Sequence, residues 1–294
     1  MFRTIYVTAG ERLSVSKNWL VVESVGTSNK IPVEDIQTII IDNLQTCVSV
    51  YALQSLTKHD VNVVLCDEKH LPCCSVLGLN QHYRPYGVLK KQIALTNEFK
   101  ALLWQRIVKA KIDNQRIALK HREVTREVES RMEQLVAEVL AGDIGNREAI
   151  AAKMFFRNFY GYDFMRFEED VVNAALNFGY AVIRSAVARS LCAYGYNCTL
   201  GIHHINENNA FNLADDLMEP LRPLVDLWVL KNNEELVDSL TKNNRIGLAN
   251  IINNEVKVAG KNMKLHNAID RYVASFTTAI DNADINKLLL PYLE

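Results

Sequence analysis

Between Pro85 and Pro220 the chain runs without a proline, and glycine is sparse over the same stretch. Proline removes a backbone donor and glycine carries an entropic cost in a helix. A segment this long without the first, poor in the second and rich in Ala, Leu, Glu, Lys and Arg reads as consecutive helices. Leu103, Ile107, Ala110, Asn114 and Ile117 follow a 4-3-4-3 rhythm, an apolar stripe with one polar break. From Asn173 to Cys192, the small residues Ala174, Ala175, Gly179, Ala181, Ser185, Ala186 and Ala188 crowd an apolar segment. Small side chains let helices approach closely, so this segment is expected to be a buried central helix.

The first eighty or so residues follow a different pattern. Ile5-Tyr6-Val7, Leu13-Ser14-Val15, Trp19-Leu20-Val21-Val22, Ile39-Ile40-Ile41 and Val61-Asn62-Val63-Val64-Leu65 are short β-branched or aromatic runs. Turn-type residues separate them at Ala9-Gly10, Ser16-Lys17-Asn18, Gly26-Thr27-Ser28-Asn29-Lys30 and Asp42-Asn43. One helix is expected around residues 52–59. The fold class is therefore α+β. A small N-terminal β-rich domain over 1–84, of about six strands and one helix, precedes a larger all-helical domain over 85–294. The boundary falls near residues 80–92, where Asn80, Gln81, Pro85 and Gly87 cluster.

No apolar run approaches the roughly 18 residues that span a bilayer, and the N-terminus lacks an export-type apolar region. Six cysteines without a CxxC pair point to free thiols in a reducing compartment, so a cytoplasmic protein with no membrane partner is expected. The formal net charge of −1 would argue against a polyanionic partner if it were evenly spread. It is not. Residues 84–131 carry 12 basic and 5 acidic side chains, a net of +7 between acidic flanks. Lys90, Lys100, Arg106, Lys109 and Lys111 lie in that run, a candidate phosphate-tracking surface or a solvated helix face.

Three places concentrate acid/base or metal-type side chains. In Gly145-Asn146-Arg147-Glu148-Ala149, the first two residues end one helix or start another, which puts Glu148 in a first helical turn. A carboxylate there also suits the macrodipole without any further role. His203-His204 follow Gly201-Ile202 in a loop between helical stretches, and adjacent side chains of this kind rarely share one ion. In Asp215-Asp216-Leu217-Met218-Glu219-Pro220, Asp216 and Glu219 are three apart, which on a helix puts both carboxylates on one face. Either a cation lies between them or the segment is an acidic helix terminus. Pro220 and Pro223 limit helix continuation, and Arg222 places a cation just beyond the acids. The set as a whole, Glu … His … Asp-x-x-Glu, has the hard oxygen donors and single imidazole that suit Mg²⁺ or Mn²⁺ better than zinc.

At these residues the chain resembles the CRISPR-associated integrase and endonuclease of the spacer-acquisition complex, the universal first Cas protein, most of all its type II members. The resemblance is carried by Asn146-Arg147-Glu148-Ala149 with Ala152-Lys153-Met154-Phe155-Phe156, by Asn173-Ala174-Ala175-Leu176-Asn177-Phe178-Gly179-Tyr180, and by the run from Gly201 to Asp226. It implies Glu148, His204 and Glu219 as catalytic metal ligands, Asp216 as a supporting acid, and Mg²⁺ or Mn²⁺ as the ion. It implies strand transfer of the 3′-hydroxyl ends of short double-stranded DNA fragments into the CRISPR repeat. It also implies a homodimer formed through the β-domains, and a tetramer gripping a dimer of the small partner Cas protein, with other type II adaptation proteins as further partners. Arg222, Lys90, Lys100, Arg106 and Lys109 are then the candidate DNA contacts. The rival readings are a stand-alone metal-dependent nuclease for branched DNA and a non-catalytic DNA-binding scaffold.

Overall fold

β-Branched runs and two-residue turns build the N-terminal part, as a computed structural model shows; it describes residues 3–9, 11–24, 26–78, 82 and 84–294. The turn residue Gly10 and the boundary residues Asn80 and Gln81 lie outside the described residues. Strands β1 (Arg3–Val7), β2 (Arg12–Ser16), β3 (Trp19–Ser24), β4 (Thr27–Pro32), β5 (Ile36–Ile41) and β6 (Cys47–Val48) lead into helix α1 (Val50–Lys58). Strands β7 (Asn62–Cys66) and β8 (Pro72–Val76) complete two four-stranded sheets, ordered β1-β5-β7-β8 and β4-β3-β2-β6.

This is two strands more than the expected six. Residues 27–30, read as a turn, belong to β4, which pairs antiparallel with β3 from Ser24↔Thr27 to Trp19↔Pro32. Its Thr27, Ser28, Asn29 and Lys30 are all exposed on an edge strand, so no apolar alternation marks them. β8 escapes notice for a related reason: it is an edge strand opening on Pro72, with Cys73 and Cys74 exposed.

The first sheet is shared between two cores. Ile39, Ile41 and Val63 face a core closed by Leu13, Leu20, Ala52 and Leu56. The alternate residues Ile40, Val64 and Cys66 join the core of the helical part. Side chains alternate across a strand, so a run apolar at every position is what a two-sided sheet requires.

The helices are α2 (Pro85–Ile93), α3 (Asn97–Leu119), α4 (Arg126–Glu138), α5 (Arg147–Tyr160), α6 (Val171–Ala193), α7 (Asn212–Met218), α8 (Arg222–Lys231), α9 (Lys242–Ala249) and α10 (Leu265–Asn282). The region is mainly but not wholly helical. Strands β9 (Glu255–Val258), β10 (Lys261–Lys264) and β11 (Pro291–Tyr292) form a small antiparallel sheet. The expectation of an all-helical region fails here, because Ala259 and Gly260 both adopt positive φ and turn a four-residue pair into a hairpin.

Two helices organise the site. α6 is the buried central helix, packed against α7, α8, α9, α10 and strands β7 and β8. A side chain on Gly179 would collide with Val225 of α8, which explains the small residues. α6 has the length and hydropathy of a membrane span, but 67% of that window is buried inside the fold. On α3, Thr96 caps the N-terminus and Leu103, Ile107, Ala110 and Asn114 of the stripe are buried. The polar break is a fastener: Asn114 donates to Pro220 O (2.7 Å) and Pro291 O (3.0 Å) and accepts from Leu293 N (3.0 Å). It thereby ties α3 to the turn that carries Glu219.

Candidate active site

Glu219 opens a short 3-10 turn (Glu219–Leu221) between α7 and α8, where Pro220 lacks the N–H that would continue α7. It is 3% exposed, and both of its oxygens face cations. Arg222 Nε donates to Oε1 at 2.8 Å, and the Lys111 ammonium contacts Oε2. The same ammonium reaches Glu148 Oε1 at 2.6 Å. One amino group therefore joins carboxylates from the start of α5 and the end of α7. Burial alone would push the Glu219 carboxyl up, but Arg222 and Lys111 outweigh it and hold the group at about 2. Burial likewise works against the Lys111 charge, and Glu219 and Glu148 reverse that effect, leaving the amine above its ordinary value.

Glu148 does sit in a first helical turn. Asn146 occupies the cap position in left-handed backbone with no side-chain cap. Asp143 does that work: its carboxylate accepts from Arg147 N and Glu148 N, each at 2.9 Å.

Asp216 is fully buried and turns to the histidine loop. It accepts from the backbone N–H groups of Ile202 (2.7 Å), His203 (3.1 Å) and His204 (3.0 Å), and binds His204 Nδ1 at 2.6 Å. An ionised carboxylate only accepts, so Nδ1 carries the proton and the neutral ring keeps its lone pair on Nε2. That hydrogen bond is also the main reason His204 is held above its ordinary pKa. The loop wraps so closely that a side chain on Gly201 would strike His204 O and lie 2.8 Å from Asp216 Oδ2. Asp216 and Glu219 thus do not share a cation between them; each has its own set of partners.

The two histidines diverge, as adjacent side chains should. His203 stacks on buried Trp104 of α3, rings 4.0 Å apart and 3° from parallel, while His204 meets the same indole edge-on at 5.8 Å. Arg222 lies 4.7 Å above the Tyr180 ring. Tyr180 and Tyr160 both donate to buried Asp226, at 3.2 and 2.8 Å, and burial raises that carboxyl to about 6.

The basic run divides. Lys90 is exposed at the end of α2, and Lys100, Arg106 and Lys109 are half-buried along α3. Lys100 and Lys109 are half a turn out of phase on the helix, so the run is not one stripe. Lys100 borders a groove that His204 also lines. Arg106 approaches Leu288 O at 3.4 Å. Lys111, placed in the run by sequence, is only 8% exposed and belongs to the carboxylates. Its position gave a usable signal: it stands on the buried stripe, four residues past Ile107 and three before Asn114. Nothing comparable in the sequence marks Asp143 as a cap.

Glu148, Glu219 and His204 come from three elements to the middle of α3, the two acids at Lys111 and the histidine at Trp104. Among the described residues, no three His, Cys, Asp or Glu side chains converge as a ready-made metal cage. Two carboxylates close enough to share an ammonium are close enough to share another cation. The neighbouring imidazole has its free nitrogen on the ring edge away from Asp216. The donor set fits a hard divalent ion.

The family described as CRISPR associated protein Cas1 matches residues 5–248. The CRISPR-associated endonuclease Cas1 of Neisseria meningitidis serogroup C (strain 8013) is 38% identical over 293 residues, 99% of this chain and 96% of its own. The chain belongs to the Cas1 family. It is therefore an endonuclease and integrase of CRISPR spacer acquisition. Among solved structures, a Cas1 protein from Thermotoga maritima has the same fold, with a TM-score of 0.74 at 14% identity over 95% of this chain and 97% of that one. A chain of a Cas6-RT-Cas1–Cas2 complex has a TM-score of 0.73 at 19% identity. The match covers 97% of this chain and 36% of that longer one. Structural neighbours of this Cas1 family member thus include Cas1–Cas2 complexes and a Cas1–DNA complex.

Proposed function

We propose that the chain uses Glu148, His204 and Glu219 to hold one Mg²⁺ or Mn²⁺ ion and joins 3′-hydroxyl ends of short DNA fragments to a CRISPR repeat by phosphodiester transfer. The observation that carries this reading is the meeting of Glu148 and Glu219 on one buried ammonium, beside a histidine held by Asp216. When bound, the ion supplies positive charge to the transferring phosphoryl group and to the oxygens that attack and leave. The protein's own groups set the stage for that step. Asp216 gathers three amides and one ring nitrogen, which fixes the direction of His204 Nε2. Arg222, stacked on Tyr180 and paired with Glu219, is positioned to reach a phosphate oxygen from the same side. Lys100, on the groove lined by His204, is the best placed of the α3 cations to follow a DNA backbone, with Lys90, Arg106 and Lys109 as weaker contributors.

In this reading residues 1–84 form the dimerisation part and residues 85–294 the catalytic part. Leu44, Val50 and Tyr51 are exposed apolar side chains around β6 and the start of α1, and they suit a homodimer through the β-region. Two such dimers would grip a dimer of the small partner Cas protein, in the cytoplasm, with double-stranded DNA across the assembly. The test is Glu219→Ala and His204→Ala, assayed for Mn²⁺-dependent cleavage and for joined products with the partner protein present. Each variant is expected to lose activity by at least about a hundredfold. Wild-type rates in both would refute the ligand assignment.

A further inference from the structure

We propose that Lys111 is a built-in counter-ion of the metal site: its ammonium holds Glu148 and Glu219 together until a divalent ion arrives, and it must withdraw for that ion to bind. The inference rests on the assignment of Glu148 and Glu219 as ligands. Both Glu219 oxygens are already engaged, one by Lys111 and one by Arg222, and Glu148 Oε1 is engaged by the same lysine. Two carboxylates and two cations balance without any ion. A divalent cation taking up the same oxygens at the usual ~2.1 Å would lie against the ammonium, and like charges at that separation in a buried site repel strongly.

The geometry also decides which group yields. Arg222 is pinned by its stack on Tyr180, and α3 is fixed by buried Ile107, Ala110, Ile112 and Asn114 on either side of Lys111. The lysine side chain itself is a flexible four-carbon stem. It has somewhere to go. A cavity of about 1140 Å³ opens beside it, lined also by Gln115, Ala152, Glu219, Arg222 and Asp226. Lys111 is in this sense a positioning residue. It keeps two buried carboxylates from repelling each other in the ion-free protein, and it sets how tightly the ion is held.

The experiment is Mn²⁺ binding to the DNA-free protein, read from the electron paramagnetic resonance signal of free aqueous Mn²⁺. It compares wild type, Lys111→Met, Lys111→Arg and Glu219→Gln. Lys111→Met is expected to bind Mn²⁺ at least about tenfold more tightly than wild type, because the competing charge is gone. Lys111→Arg, which keeps the charge, should show no such gain. Equal or weaker binding by Lys111→Met would overturn the proposal, since the ammonium would then be a bystander or a helper. Equal binding by wild type and Glu219→Gln would instead refute the ligand assignment beneath it. Removing the lysine leaves two carboxylates unpaired, so thermal unfolding provides a second reading. In EDTA, Lys111→Met should melt below wild type, and excess Mn²⁺ should close most of that gap. A gap of the same size with and without Mn²⁺, or a variant that Mn²⁺ does not rescue, would also overturn it.

Discussion

Two buried carboxylate centres in this molecule are neutralised in opposite ways. At the seam between the N-terminal sheet and α9, Asp42 accepts from Tyr6 OH (2.7 Å), His70 Nδ1 (2.8 Å) and Arg245 Nε (2.9 Å). Arg245 is itself held by Leu240 O at 2.7 Å and Tyr6 OH at 3.1 Å. Donors from β1, the loop after β7 and α9 thus converge on one acid. At the candidate site, by contrast, the side-chain partners of Glu219 among the described residues are cations, and one of them is shared with Glu148. A carboxylate saturated by donors from several fixed elements binds the fold together. A carboxylate balanced by a side-chain ammonium can exchange its partner. The seam is built to stay and the site is built to change hands.

That contrast breaks most readily at the seam. Asp42→Ala would leave the Arg245 guanidinium, 12% exposed, without its counter-ion and strip two further donors of their acceptor. Loss of one partner of a buried pair costs about 3–5 kcal/mol. Glu219→Gln should cost less than half as much, because Lys111 keeps Glu148 and Arg222 keeps its Tyr180 stack. Urea denaturation of both variants checks the pair of values, and equal losses would erase the distinction. Between these extremes stands Asp216→Asn, which removes the charged acceptor for three successive amides. A cost of about 1.5–3 kcal/mol is expected. Hydrogen exchange should report it as faster exchange at Ile202, His203 and His204. Unchanged protection there would mean that the Trp104–His203 stack, rather than Asp216, holds the loop.

Sequence reasoning singled out the residues of the candidate site but not their wiring. Glu148, His204, Asp216 and Glu219 were legible because the residue types and the run from Gly201 to Asp226 are distinctive, and the two histidines diverge as adjacent side chains must. The α+β order was legible because β-branched runs give way to a proline-free stretch. What periodicity misses is whatever carries no apolar alternation, such as polar β4 and the short hairpin of β9 and β10. Charge counting has its own blind spot. It enrolled Lys111 with Lys100 and Lys109 because a sum over a segment ignores where along and around the helix each cation stands. The helical register turns Lys109 to the opposite side of α3, whereas Lys100 shares the face of Lys111 and is less buried because it stands in the first turn.

Its pH dependence distinguishes a third kind of buried acid, Asp226. Asp226, on α8, accepts from the hydroxyls of Tyr160 on α5 and Tyr180 on α6, has no ion pair like that of Glu219 among the described residues, and is raised by burial to about 6. The folded state therefore holds this proton more tightly than the unfolded chain, whose aspartate titrates near 3.8. Its contribution to stability is fully present below about 3.8 and is lost as the pH rises through about 6. Above that range the ionised group costs about 2–4 kcal/mol, from a shift of roughly two units at 1.36 kcal/mol each. Asp226→Asn, which keeps a carbonyl acceptor and never ionises, should gain on wild type as the pH rises from 4.5 to 8. Melting temperatures across that range provide the measurement. A gap between variant and wild type that is flat or shrinks with pH would mean that Arg166 and Arg222 already stabilise the charge, placing Asp226 with Glu219 among the acids balanced by cations.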